Sequence, residues 1–214
     1  MTIIRKGRRL NLKEDAIIRI MSRVKHRIFP RPFERLGVAE LKKKRGLVGV
    51  EVGVHEGDHA LSLLENLDMK KLYLIDPWEY YGEYEKDTKG YMDVVITGLP
   101  DAEKTCRRRM KKYENKAVII KDFSSRCLEQ IPNNLDFAYI DANHSYKYIK
   151  EDMKNFWGKV KVGGIMGGHD YYNGFHRICD DVIRAVGEFA YENKIQLRVD
   201  SPDWWFVKDK KCEI

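Results

Sequence analysis

Gly49-Val50-Glu51-Val52-Gly53-Val54-His55-Glu56-Gly57, with Leu72-Tyr73-Leu74-Ile75-Asp76 downstream, decides the fold of this 214-residue chain. The first stretch reads as a buried strand that turns through glycines into a helix. The second reads as another buried strand, ending in an acid. A glycine lets backbone approach a ligand where a Cβ would intrude. An acid closing the second strand can accept hydrogen bonds from both hydroxyls of a ribose. Such charge-assisted bonds contribute roughly 1.5–3 kcal/mol each. Together the two stretches describe a pocket for an adenosine-containing ligand.

Outward from this unit, short apolar runs alternate with helical patterns. The strands expected are Leu47–Gly53, Lys71–Asp76, Ala117–Lys121, Leu135–Asp141, Gly164–Gly168, Gln196–Val199 and Trp204–Lys208. Helices fit 57–67, 99–114, 124–130, 145–157 and 174–192. Alternation of this kind predicts an α/β fold, a doubly wound and mostly parallel seven-stranded sheet with helices on both faces. The last two strands are joined by the turn signal Asp200-Ser201-Pro202-Asp203, so they form a C-terminal antiparallel hairpin. Residues 78–98 carry Trp78, Tyr80, Tyr81, Tyr84 and Tyr91. This long aromatic loop just past a ligand-binding strand end reads as a substrate lid.

Charge divides the chain in two. Residues 1–45 hold 15 Lys/Arg and 4 Asp/Glu, a balance of +11, whereas the remainder balances at −4. Asn11 and Glu14 resemble a capping box, and Leu12, Ala16, Ile17, Ile20, Met21, Val24 and Ile28 recur at helical spacing. Pro30 and Pro32 end that basic amphipathic helix and begin a linker. The expected organisation is a helical extension over 1–45 and a catalytic domain over 46–214. The apolar stripe suits packing on the domain or on a second copy of the chain. Its basic face suits an acidic partner, nucleic acid or an anionic surface. No apolar run is long enough to span a membrane, and no signal-peptide pattern opens the chain. Cys106, Cys127, Cys179 and Cys212 form no CxxC pair and read as reduced thiols, so a cytoplasmic protein is expected.

A dinucleotide pyrophosphate needs G-x-G-x-x-G on the helix N-terminus. Here the pattern is E-x-G-x-x-x-G, and Glu51 would repel a phosphate. The acid instead suits a cationic ligand such as S-adenosylmethionine, which carries a sulfonium, an amine and a ribose. Farther on, Asp141-Ala142-Asn143-His144-Ser145-Tyr146 closes the fourth strand, and Gly168-His169-Asp170-Tyr171 closes the fifth. In open α/β sheets, ligands bind beyond the carboxyl ends of the strands. Glu51, Asp76, Asp141, His144, His169 and Asp170 therefore converge.

These motifs, with Asp76-Pro77-Trp78 and Asp181-Val182-Ile183-Arg184-Ala185-Val186-Gly187-Glu188-Phe189, resemble those of class I S-adenosylmethionine-dependent methyltransferases of the branch called methyltransferase family 24. The resemblance spans about residues 46–210 and implies a Rossmann-like methyltransferase fold. It implies that Glu51, Gly53, Val54, His55 and Gly57 line the methionine part. It also implies that Asp76, Pro77 and Trp78 hold the ribose, that Asp122, Phe123 and Ser124 border the adenine, and that Asp141 meets the cofactor amine. The fold is similar as well to the metal-dependent catechol-type O-methyltransferases. That likeness implies a divalent cation such as Mg²⁺ on Asp141 and Asp170, with His169 or Asn173 assisting where Tyr171 would be a poor ligand. The base position falls on His144, with His169 as second choice.

The leading expectation is O-methylation of a small molecule, sugar or glycan by in-line attack on the sulfonium methyl. The alternatives are an RNA methyltransferase that uses residues 1–45 as a phosphate-binding arm and a non-catalytic cofactor-binding or assembly subunit.

Overall fold

The computed structural model describes residues 39–79, 89–171, 177–200 and 202–209, with side chains throughout except at 89–97 and 177–179. The expected N-terminal helix lies outside the described residues, as do Tyr80, Tyr81, Tyr84 and Asn173. The strands are β1 (Leu47–Val52), β2 (Met69–Ile75), β3 (Ala117–Ile120), β4 (Leu135–Ile140), β5 (Val160–Gly168), β6 (Arg198–Asp200) and β7 (Asp203–Val207). The helices are α1 (Asp58–Asn66), α2 (Lys89–Met110), α3 (Tyr146–Trp157) and α4 (Arg177–Glu192). One seven-stranded sheet runs in the order β3-β2-β1-β4-β5-β7-β6. The first five strands in that order pair in parallel, whereas β7 runs antiparallel to both β5 and β6. The expected fold class is therefore observed.

Strand β4 explains why the sheet is covered on both sides. Every residue from Leu135 to Ile140 is buried, so there is no solvent face to produce alternation. Its one acid, Asp136, is held by two donors. Val48 N donates to Oδ2 at 2.9 Å, and Lys161 Nζ lies 2.6 Å from Oδ1. A buried carboxylate without such partners would be strongly destabilising. Beneath β4, Gly49 leaves room for the Phe137 ring, which a Cβ there would meet at 2.2 Å.

Two apolar layers sandwich the sheet. Helices α1 and α2 contribute Ala60, Leu63, Leu64, Ala102, Cys106 and Met110 to one layer. Helices α3 and α4 contribute Ile149, Met153, Phe156, Val182, Val186 and Phe189 to the other, which also holds Cys127. Leu41 is buried in the first layer, so the packed body reaches upstream of residue 46.

Several elements differ from their sequence reading. Helix α2 begins at Lys89, and Pro100 lies inside it. A proline removes one helical hydrogen bond and is best tolerated in a first turn, so the pattern suggested a start near 99. The expected helix 124–130 is two single 3₁₀ turns, Ser124–Arg126 and Leu128–Gln130. The stretch read as a lid is shortened by the earlier start of α2. Its first residue, Trp78, is buried and donates Nε1–H to His55 O at 2.8 Å. Trp78 is thus a strut under the glycine turn and no part of a lid.

Candidate active site

The strand order reverses between β1 and β4, which opens a crevice at their carboxyl ends. The glycine turn that follows β1 forms one wall. Gly53 has φ +85°, and a Cβ there would fall 2.1 Å from Asp141 O. Glycine is therefore required by the close approach of the turn to the end of β4, in addition to any ligand. His55 also has positive φ, +49°, and Gly57, at +78°, starts α1 against Cys106.

Asp76 at the end of β2 ties this turn down. Its Oδ2 accepts from Val54 N and His55 N, both at 2.8 Å. Its Oδ1 accepts from Trp78 N at 2.7 Å. A carboxylate offers about four lone-pair sites, so Oδ1 retains capacity for a ribose hydroxyl. Pro77 lies between Asp76 and Trp78 on the same strand end. From the far side of the turn, Arg109 of α2 donates to Glu56 O at 2.7 Å and lies 3.1 Å from Asp58 Oδ1.

Glu51 is almost completely buried, and its Oε1 lies 3.5 Å from His59 Nδ1 on α1. The His59 ring packs at a tilt of 47° against Tyr139, the β4 residue beside Glu51, with centroids 4.1 Å apart. Glu51 thus faces α1 within the body. Residues Asp122, Phe123 and Ser124 follow β3 at the sheet end next to β2. Asp122 Oδ1 accepts from Phe123 N at 2.8 Å, and the guanidinium of Arg126 lies 4.6 Å over the Phe123 ring.

Asp141, His144 and Asp170 meet at the ends of β4 and β5. His144 Nε2 lies 2.9 Å from Asp170 Oδ2 and 3.7 Å from Asp141 Oδ1. Asp170 holds φ +63°, a left-handed conformation uncommon for a residue other than glycine. Burial alone would push the His144 imidazole down. The two carboxylates outweigh burial and raise its pKa to about 10. Burial likewise opposes ionisation of Asp170, but His144 and His169 hold its carboxyl well below the usual range.

His169 stands on the outer side of Asp170. Its Nδ1 is 3.3 Å from Asp170 Oδ1 and its Nε2 is 4.0 Å from Asp203 Oδ1. Asp203 in turn accepts from Tyr139 Oη at 3.0 Å. The sequence reading did not single out Asp203, which lay within a turn signal. The antiparallel register Gly168↔Trp204 brings it beside His169, and only the hairpin pairing could have revealed it.

Among the described residues, Asp141, His144 and Asp170 offer ligand atoms that all lie within 4.8 Å of one another. Two carboxylates and an imidazole fit a divalent cation. The third member of this trio is His144, whereas His169, the expected assisting ligand, lies on the other side of Asp170 with Nδ1 3.3 Å from its Oδ1. Tyr171 donates its backbone N–H to Pro202 O at 2.9 Å and packs against the layer beneath α3 and α4.

Known proteins resemble this chain in sequence and in fold. An uncharacterized protein of Acanthamoeba polyphaga mimivirus is 26% identical over 153 residues, spanning 72% of this chain and 63% of that protein. This chain therefore matches less than two thirds of the relative's length. A solved protein from Corynebacterium glutamicum superposes with a TM-score of 0.59 at 13% identity, covering 93% of this chain and 92% of that one. A candidate methyltransferase from Streptococcus mutans, solved in complex with SAH, the demethylated cofactor product, superposes at 0.55 with 15% identity, covering 82% and 96%. At such identities the likeness shows the fold. A family profile for a methyltransferase domain matches residues 50–171, more than half of the chain. The chain accordingly belongs to methyltransferase family 24, within the class I S-adenosylmethionine-dependent methyltransferases.

Proposed function

We propose that this protein transfers the methyl group of S-adenosylmethionine to a hydroxyl of a small molecule, sugar or glycan. The observation that carries this reading is the Asp141–His144–Asp170 trio, set at the strand ends beside the glycine turn and Asp76. A hydroxyl must lose its proton to become a useful nucleophile, and a strand-end imidazole flanked by carboxylates manages a proton. Aligning the acceptor oxygen with the methyl group supplies most of the rate gain.

His144 fills two of the expected roles, and it cannot fill both at once. Nε2 has one lone pair, so a cation held there leaves nothing to accept a proton. Bound by Asp141, Asp170 and His144, a divalent cation would act as a Lewis acid that lowers the pKa of the acceptor hydroxyl. Were the cation held by the carboxylates alone, it would offset the charges that hold the His144 proton and free the imidazole to serve as general base. The cofactor's ammonium, drawn to Asp141, acts in the same direction by cancelling a negative charge beside the imidazole.

The deciding experiment is calorimetric titration of the whole protein with S-adenosylmethionine, with and without Mg²⁺ or Mn²⁺, beside Asp76→Ala. Binding that the variant loses supports the pocket, and tighter binding with the cation supports Asp141 and Asp170 as its ligands. No binding by a folded wild-type protein overturns the reading and favours an assembly role.

A further inference from the structure

Asp152 is a buried acid that the proposed chemistry does not use. It sits on the inner face of α3, only 4% exposed, beside Ile149, Met153 and Phe156 of the same apolar layer. A bare carboxyl placed there costs stability unless it is hydrogen-bonded. Its partner is Ser124, the last member of the expected adenine-bordering segment, with Oγ 2.5 Å from Asp152 Oδ1. The Ser124 carbonyl is also engaged, accepting from Cys127 Sγ at 3.6 Å. Helix α3 thus reaches across to the short turn that follows β3.

The position of that turn follows from the sheet. Asp76 ends β2, and β3 is its outer neighbour, joined at this end by Asp76 N donating to Ile120 O at 3.2 Å. A ribose held at Asp76, with its methionine arm towards β1 and β4, has its base directed towards β3. The residues following β3 then meet the base. Ser124 is half-buried, and a hydroxyl engaged by one partner retains capacity for another.

We propose that Asp152 is a positioning residue for the cofactor's base: through Ser124 it presents one hydroxyl, in a fixed orientation, to the edge of the adenine. The inference rests on the S-adenosylmethionine reading and extends it to base selectivity. A hydroxyl has one proton and two lone pairs. An ionised Asp152 takes the Ser124 proton and leaves only lone pairs for the base, which suits the adenine amino group. A neutral Asp152 donates to Oγ and frees the Ser124 proton for a ring nitrogen. With Asp152 ionised, hypoxanthine, which carries a carbonyl in place of that amine, offers the hydroxyl no donor at the same position. Burial raises the Asp152 pKa to about 7, and the Ser124 bond opposes this.

The test measures binding of S-adenosylhomocysteine and of its hypoxanthine analogue, S-inosylhomocysteine, by calorimetry on the full chain. The proteins are wild type, Ser124→Ala, Asp152→Ala and Asp152→Asn, with folding checked by circular dichroism. Ser124→Ala and Asp152→Ala are expected to weaken S-adenosylhomocysteine about 10-fold, the size of one hydrogen bond, and to narrow the preference over the inosyl analogue. Asp152→Asn keeps a donor and an acceptor towards Ser124 and is expected to stay within about 3-fold of wild type. Should Asp152→Ala fail to fold, Ser124→Ala and Asp152→Asn decide the matter. Equal losses for both ligands, or no loss, overturn the proposal while leaving the cofactor pocket standing. A folded wild-type protein that binds neither ligand overturns the cofactor reading, and the base-reading role with it.

Discussion

In the proposed reaction the chemistry concentrates at His144, whose two carboxylate neighbours, Asp141 and Asp170, set its charge. His144→Ala is expected to cut turnover by about 100-fold or more, with S-adenosylhomocysteine affinity within about 3-fold of wild type. Calorimetry beside a methyl-transfer assay checks both. With its pKa raised to about 10 in the cofactor-free protein, the imidazole is charged at neutral pH. If it is the base, kcat/KM climbs as pH rises, with an apparent pKa above the ordinary imidazole value. Added cation should shift that limb to lower pH. Asp152 carries a separate signature, of opposite sign, in stability. Its folded pKa, about 7, exceeds the ordinary 3.8, so the folded state holds the extra proton between those values. The stability it contributes is complete below about pH 4 and is lost as pH rises through about 7. Asp152→Asn should flatten that window in urea titrations at successive pH values. Asp76 and Asp141 were legible from sequence because each is an acid closing a continuous apolar run, where a strand meets the ligand crevice. Asp203 and His59 were not, because they reach the site through register and through a helix face.

At the scale of elements, the cofactor turn depends on its neighbours more than on its own glycines. Strand β2 fixes it from inside through Asp76 and Trp78, and α2 fixes it from outside through Arg109. Arg109→Ala removes a charged donor from Glu56 O and is expected to weaken S-adenosylhomocysteine by roughly 3–10-fold, about 1 kcal/mol. Arg109→Lys should recover part of it. Gly53→Ala is harsher. The backbone at φ +85° disfavours any side chain, and the added Cβ meets Asp141 O at 2.1 Å. A loss of about 3 kcal/mol or more is expected, visible in the urea midpoint. The strands and α1 lay within one or a few residues of their sequence reading, since continuous apolar runs between glycines leave little latitude. Helix α2 was misjudged because Gly90, Gly98 and the β-branched run Val94-Val95-Ile96-Thr97 are poor helix formers, and Pro100 mimics a beginning.

For the molecule as a whole, the sheet order makes stability graded from centre to edge. β4 is buried at every residue and flanked by β1 and β5, whereas β6 is short, largely exposed and paired on one side. Backbone amides of β4 and β1 are expected to exchange slowest, and those of β6 among the fastest, in native-state hydrogen exchange. No helix among the described residues is long and apolar enough to cross a membrane. The whole-molecule topology was readable because helices and strands alternate until the terminal hairpin. What the basic extension does was not, because charge alone names no partner.

The two described cysteines fall one in each apolar layer, Cys106 between the sheet and α2 and Cys127 beneath α3. Burial pushes both thiols up, to about 12 and about 11, so neither reacts with an alkylating reagent until its layer opens. With Cys179 and Cys212 replaced by serine, mass-resolved labelling would time the opening of each half of the sandwich separately. The chain thus carries its own pair of clocks: matching rates would mean that the two layers come apart together, and diverging rates would reveal which one yields first.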